Sequence, residues 1–332
     1  MKESADISEM HYKVSVIVPI FNVRDYLSRC VECLMRQTLR EIEFIFVEDC
    51  SQDDSYDVLT DTLSRFPERQ QDVRIIRHEV NKGLSMSRSD GLDVASGDFI
   101  AHCDSDDWMD VTMYERMYSQ AVSDNADICI CDFFFVRKDG LERMHPAIDC
   151  TKPHEKLVYD YLVCKWNTVW SVLVARDVYE RSGARPPAGI TFTEDFYLTV
   201  RLFQYAGKVT SVNDPLYCYN QLNVSSIVHK IDIGRQLEEL DCYERTISWF
   251  KEQGVYESYQ KPMQWRLLKS VSYLVLHNRF EEFRNLDRKT YRYILSIPDS
   301  FCDIKTKIML VLVLFRLDFI CRWDNRRHGR CE

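Results

Sequence analysis

What this chain lacks narrows its chemistry. It has no cationic excess: 43 Lys and Arg against 52 Asp and Glu leave a formal charge of −9. That argues against a protein that coats nucleic acid, which needs a positive surface to displace counterions. No G-x-G-x-x-G follows the first apolar run, which removes the dinucleotide-dependent oxidoreductases. There are no internal repeats and no low-complexity segments. The apolar stretch Ile308–Phe315 is too short to span a bilayer and is interrupted by Arg316 and Asp318. Met1 is followed by Lys2-Glu3-Ser4-Ala5-Asp6 without an apolar h-region, so no secretory signal is expected. The 13 cysteines, among them Cys103, Cys129 and Cys131 inside apolar runs, then read as reduced core thiols of a cytoplasmic protein. Cys30-x-x-Cys33 lies on an expected helix with no second Cys/His pair at finger spacing, and reads as filler.

What is there is an alternation of buried strands and amphipathic helices. Val14–Ile20, Glu43–Val47, Val73–Ile76 and Phe99–Cys103 are short β-branched or aromatic runs. Helical spacing fills the intervals at 25–37, 53–66 and 84–95, with Gly97 expected at the C′ position of the third helix. This rhythm predicts an α/β fold: a Rossmann-type, mostly parallel sheet flanked by helices. Further strands are expected at 128–136, 170–174 and 209–212, and an edge strand at 215–220. From about residue 232 the chain reads as wholly helical, at 233–252, 256–278, 280–295 and 304–323. We therefore divide it into an α/β domain, 1–230, and a helical C-terminal extension, 231–332.

Polar clusters follow three of the strands: Phe21-Asn22, Glu48-Asp49 and Asp104-Ser105-Asp106-Asp107. Ligands of open α/β sheets bind beyond the carboxyl ends of the strands, so the clusters belong to one crevice. Carboxylates crowded there repel one another and lose solvation unless a hard cation joins them. An all-oxygen set favours Mg²⁺ or Mn²⁺ over zinc. Taken locally, Asp107 or Asp110 also suits an N-cap before Val111, and Thr193 an N-cap before two acids.

The order and spacing of these pieces resemble family 2 glycosyltransferases of GT-A fold, bacterial enzymes of surface-polysaccharide assembly. The resemblance covers roughly residues 13–228. It rests on Val16-Ile-Val-Pro-Ile-Phe-Asn22, Val47-Glu48-Asp49-Cys50-Ser51-x-Asp53, Asn81-Lys-Gly83, the Gly97–Trp108 run, Thr193-Glu194-Asp195 and Tyr217-x-Tyr219. Two departures stand out. Glu48-Asp49-Cys50-Ser51 replaces the usual Asp-Asp-Gly-Ser, and Ser87-Arg88-Ser89 the usual Ala-Arg-Asn.

The resemblance implies an inverting transfer of a sugar from a nucleotide-diphosphate donor, with UDP the first choice, to a glycan or lipid-linked hydroxyl. Asp106 would ligate Mg²⁺ or Mn²⁺, with Asp104 on the ribose or on the metal's waters. Asp49 would read a base edge, walled by Pro19 and Phe21. Asn22, Glu48, Asn81, Gly83 and Ser105 complete the nucleotide site, and Arg88 is either the nearby cation for phosphate or, as helical arginines usually are, solvated or paired with carboxylates. Asp195 would be the general base and Glu194 would orient the acceptor. His229, with Ser225 and Ser226, falls where relatives close a loop over the diphosphate, either as metal ligand or phosphate partner or as neither. Trp166, Trp170 and Tyr219 stack on acceptor sugars or fill the core. The alternative to an enzyme is a catalytically silent nucleotide-sugar-binding partner.

The C-terminal apolar stretch, continued by Phe319, Ile320 and Trp323 with Arg322, Arg326, Arg327 and Arg330, suits an interfacial helix at the inner face of the membrane. It suits equally a helix packed on the catalytic domain or against a second subunit in a homo-oligomer.

Overall fold

The structure, a computed structural model, describes residues 11–146, 148–164, 167–223 and 232–327. Its strands are β1 (Val14–Ile20), β2 (Ile42–Glu48), β3 (Val73–Arg77), β4 (Phe99–His102), β5 (Trp108–Met109), β6 (Ile128–Arg137), β7 (Gly140–Met144), β8 (Val172–Ala175) and β9 (Val209–Asn220). The helices up to residue 205 are α1 (Arg24–Met35), α2 (Ser55–Ser64), α3 (Leu84–Val94), α4 (Met113–Asp124), α5 (His154–Val163), α6 (Arg176–Ser182) and α7 (Glu194–Tyr205). Then come α8 (Ile233–Glu252), α9 (Tyr256–Leu276), α10 (Phe280–Arg284), α11 (Ile304–Leu314) and α12 (Asp318–Arg327).

Among the described residues the strands form one sheet in the order β3-β2-β1-β4-β8-β6-β9-β5, with β7 paired to β6. β3, β2, β1 and β4 run parallel. Every residue of β1 and β2 is buried, as expected of strands covered on both faces. The sheet then turns mixed, because β8 pairs antiparallel with both β4 and β6. Two compact units result. One holds Met1–Val158, Cys164–Gly189 and Glu194–Val224; the other holds Ser225–Glu332 with the short pieces Tyr159–Val163 and Ile190–Thr193.

Four local expectations need correction. Residues 209–212 and 215–220 are one strand, β9, paired to β6 on one side and β5 on the other rather than lying at an edge. Pro215 is tolerated there because the register slips on both sides of Asp132, a bulge at which the missing N–H is not needed. Gly97 is not a left-handed helix cap. A Cβ on it would lie 2.6 Å from the Ser15 backbone nitrogen, so close approach to β1 is what demands glycine. The helix expected at 280–295 stops at Arg284 and resumes as a 3₁₀ segment, Arg288–Ser296. The helix expected at 304–323 is two, α11 and α12, separated by a turn in which Arg316 takes a φ of 61°.

Candidate active site

The carboxyl ends of β2, β1 and β4 bring three sequence clusters to one edge of the sheet. Asp49 N donates to Ile20 O (2.9 Å), and Cys103 N donates to Ile17 O (3.0 Å). Past β1, Phe21 is 46% exposed, and Asn22 takes a φ of 50°. Asn22 Oδ1 accepts from Gln52 N at 2.7 Å. Pro19 is a buried member of β1 and does not end it, since Ile20 still pairs with Glu48. Cys50 has a φ of 58°, the left-handed conformation that favours the glycine it replaces.

Glu48 and Asp49 are turned into the fold, 1% and 2% exposed. Glu48 accepts from Ser51 N (2.6 Å) and from Arg77 Nε (3.3 Å). Asp49 Oδ1 accepts from Lys82 N (2.8 Å) and faces His78 Nδ1 (2.6 Å), and Oδ2 accepts from Gly83 N (2.8 Å). Gly83 takes a φ of 86°, which lets the turn present both amides to one carboxylate. Asn81 Nδ2 donates to Asp49 O at 3.4 Å. His78, buried, also contacts Asp90 Oδ2 through Nε2 (2.8 Å). Nothing local in the sequence marks this histidine.

The centre of the site is Arg88, on α3. Its guanidinium donates to Asp104 Oδ1 (2.8 Å), Glu194 Oε1 (2.5 Å) and Asp195 Oδ1 (2.5 Å). With 2% of its side chain exposed and three carboxylates on it, Arg88 takes the carboxylate-paired alternative rather than that of an open phosphate contact. It organises acids instead, and its Nε is buried without a partner. Burial alone would make the guanidinium easier to deprotonate, but Asp195, Asp104 and Glu194 outweigh it and raise the pKa. Burial, reinforced by Asp195, pushes the Glu194 carboxyl up to about 8 despite Arg88. Burial likewise pushes Asp104 up to about 6. Asp195 Oδ2 accepts from Val169 N at 3.2 Å, so the side chain is held at both oxygens.

Around the β4 cluster, the acids divide by partner. Asp106 Oδ2 accepts from Asn223 Nδ2 (2.7 Å), and burial raises its pKa. Asp107 is not an N-cap: the residue at the start of α4 is Thr112. Asp107 is 1% exposed and accepts from Tyr217 Oη (2.7 Å) and Asn220 N (2.7 Å), which ties the β4–β5 loop to β9. Tyr217 Oη also accepts from Asp104 N at 3.1 Å. Ser105 is buried between them. Tyr217, Asn220 and Asn223 are site residues that sequence reasoning missed, although Tyr217-x-Tyr219 had been singled out as a motif.

Trp170 is core, stacked on Tyr217 at 4.4 Å and edge-on to Phe133 at 4.8 Å, and is not free to stack on a sugar. Tyr219 is partly exposed, tilted against Trp170. Trp166, Ser225, Ser226 and His229 lie outside the described residues. Among the described residues no three His, Cys, Asp or Glu side chains form a ready metal cage. The donor set nonetheless fits a hard cation. Asp104 and Asp106 are desolvated carboxylates: Arg88 offsets part of the charge on Asp104, and the uncharged Asn223 amide gives Asp106 a hydrogen bond but no counter-charge. Mg²⁺ and Mn²⁺ retain waters and take their remaining ligands from a diphosphate.

The sequence model described as glycosyl transferase family 2 matches residues 15–172. EpsJ of Bacillus subtilis (strain 168), an uncharacterized glycosyltransferase, is 27% identical over 307 residues, 90% of this chain and 83% of that protein. YibD of Escherichia coli (strain K12), likewise an uncharacterized glycosyltransferase, is 30% identical over 252 residues, 69% of this chain and 71% of its own. The crystal structure of Staphylococcus aureus TarS 1-349 in complex with UDP superposes with a TM-score of 0.64 at 16% identity. It covers 95% of this chain and 89% of that one, and at that identity it shows the shared GT-A fold. By family model, relatives and fold together, this chain belongs to glycosyl transferase family 2.

Proposed function

We propose that this glycosyltransferase moves a hexose or N-acetylhexosamine from a UDP-sugar to a hydroxyl of a glycan or lipid-linked acceptor, with inversion. The observation that carries the reading is the hub at Arg88. It gathers Asp104 of the strand-end cluster with Glu194 and Asp195, which lie 106 and 107 residues away from it. Donor-side and acceptor-side acids thereby meet on one side chain. A UDP complex of the solved neighbour supports the choice of nucleotide.

In this reading Asp195 accepts the proton of the attacking hydroxyl. The hydroxyl oxygen bonds to the anomeric carbon as the bond from that carbon to the diphosphate oxygen breaks. Arg88 and the Val169 amide fix the direction of the Asp195 carboxylate. Glu194, close to neutral pH in its titration, orients the acceptor. Asp104 and Asp106 would hold Mg²⁺ or Mn²⁺, which would supply a Lewis acid to offset charge on the leaving diphosphate. Asp49 reads a base N–H through Oδ2, which accepts only one amide, and Asn81 lies beside it.

The test is UDP release from UDP-sugars with Mn²⁺, compared with calorimetric UDP binding. Asp195→Asn should lower kcat by about 10²–10⁴-fold with UDP affinity nearly unchanged. Turnover at the wild-type rate in that variant would remove Asp195 as base. Mn²⁺-dependent UDP binding by the wild-type protein with no turnover toward any glycan or lipid-linked acceptor would leave a silent binding partner.

A further inference from the structure

We propose that the outer face of α11 and α12 docks on an anionic lipid bilayer. On their inner sides, Met309, Leu310 and Val313 of α11 and Cys321 of α12 join the core of the helical unit. What sets α11 apart is that its outside is apolar too. Ile304, Ile308 and Phe315 are 66%, 54% and 69% exposed, and intervals of four and seven residues put them in one stripe. Beyond the turn at Arg316, Phe319 and Trp323 stand one helical turn apart, 67% and 60% exposed. Five large apolar side chains in water along two consecutive helices are unusual for a surface without a partner.

Charge identifies the partner. The chain as a whole is anionic, yet residues 304–327 carry six basic side chains against two acidic ones. Both acids are paired, Asp324 with Lys305 and Asp318 with Arg284. Arg316, Arg322, Arg326 and Arg327 have no carboxylate within ion-pair distance among the described residues. Arg327 lies over the Trp323 ring at 4.6 Å, and Arg322 over Phe280 at 5.2 Å.

An arginine beside an exposed tryptophan is the composition of a headgroup-level anchor. No described helix is long and apolar enough to cross a membrane, so this surface lies on the bilayer. A second copy of the chain is the weaker occupant. A two-fold contact through this face would set like-charged arginines opposite one another, whereas anionic lipid neutralises them.

The full chain should co-sediment with vesicles of phosphatidylcholine containing phosphatidylglycerol, about tenfold more than with phosphatidylcholine alone. High salt should weaken the binding. The triple change Phe315→Ser, Phe319→Ser, Trp323→Ser should abolish it. So should Arg316→Gln with Arg326→Gln, while circular dichroism stays that of the parent. Equal pelleting by the parent and the triple variant would overturn the proposal. So would no pelleting with either vesicle, or an oligomer that the triple variant splits in the absence of lipid. None of these outcomes bears on sugar transfer, which is read as UDP release in the absence of vesicles.

Discussion

Arg88 gathers three carboxylates into one buried cluster that its single charge cannot balance. A guanidinium facing three carboxylates leaves more negative charge than it neutralises, and burial sharpens the imbalance. Glu194 bears the consequence. Its carboxyl titrates at about 8 in the fold against an ordinary 4.5, chiefly because of burial. The folded state therefore holds a proton that the unfolded chain has already released between those two values. This group's contribution to stability falls as pH rises through that window and is constant on either side of it. Glu194→Gln removes the titrating group, so its urea-unfolding free energy should lose this slope between about pH 5 and 8 relative to the parent. An unchanged slope would place the proton elsewhere.

At the scale of elements, the site depends on how closely α3 and β4 approach β1. Buried Glu43 gathers the connection: Oε1 accepts from Ser15 Oγ (2.6 Å), Ser96 N (2.7 Å) and Ser96 Oγ (2.7 Å). Gly97 N donates to Ser15 Oγ at 2.8 Å. A methyl group at Gly97 would meet backbone atoms of Val14 and Ser15, which cannot rotate away as a side chain would. Gly97→Ala should therefore cost about 1–3 kcal/mol in urea unfolding. It should also lower activity by shifting Asp104, at the far end of β4. A variant as stable as the parent would show that the α3–β4 connection relaxes freely.

At the scale of the molecule, every described residue of the proposed site falls in the α/β unit, and the lipid-facing surface falls in the helical one. A donor that binds only the folded α/β unit should raise its stability. UDP with Mn²⁺ at about 100 times its Kd should add about 2.7 kcal/mol, visible as a thermal shift. Asp106→Asn should abolish the Mn²⁺-dependent part of the shift and leave the melt without ligand near the parent's. An equal shift in both proteins would take Asp106 out of the metal site.

The first four strands and the three helices between them, up to residue 103, were legible in the sequence because they are encoded locally, whereas β5, β7 and α4 to α6 were not expected. β-branched runs such as Val14–Ile20 and the 3.6-residue spacing of α1 fix element type within a few residues. Acids at strand ends were legible for the same reason: a parallel sheet puts every such end at one edge. Hydrogen-bond partners were not, since they join residues far apart in the chain. Only packing decided that Arg88 serves carboxylates, that His78 stands between Asp49 and Asp90, and that Asp107 ties β9. The same holds for α11, whose apolar circumference permits burial or exposure of its outer face. The turn at Arg316 and the neighbours available to it settled which one the folded chain adopts.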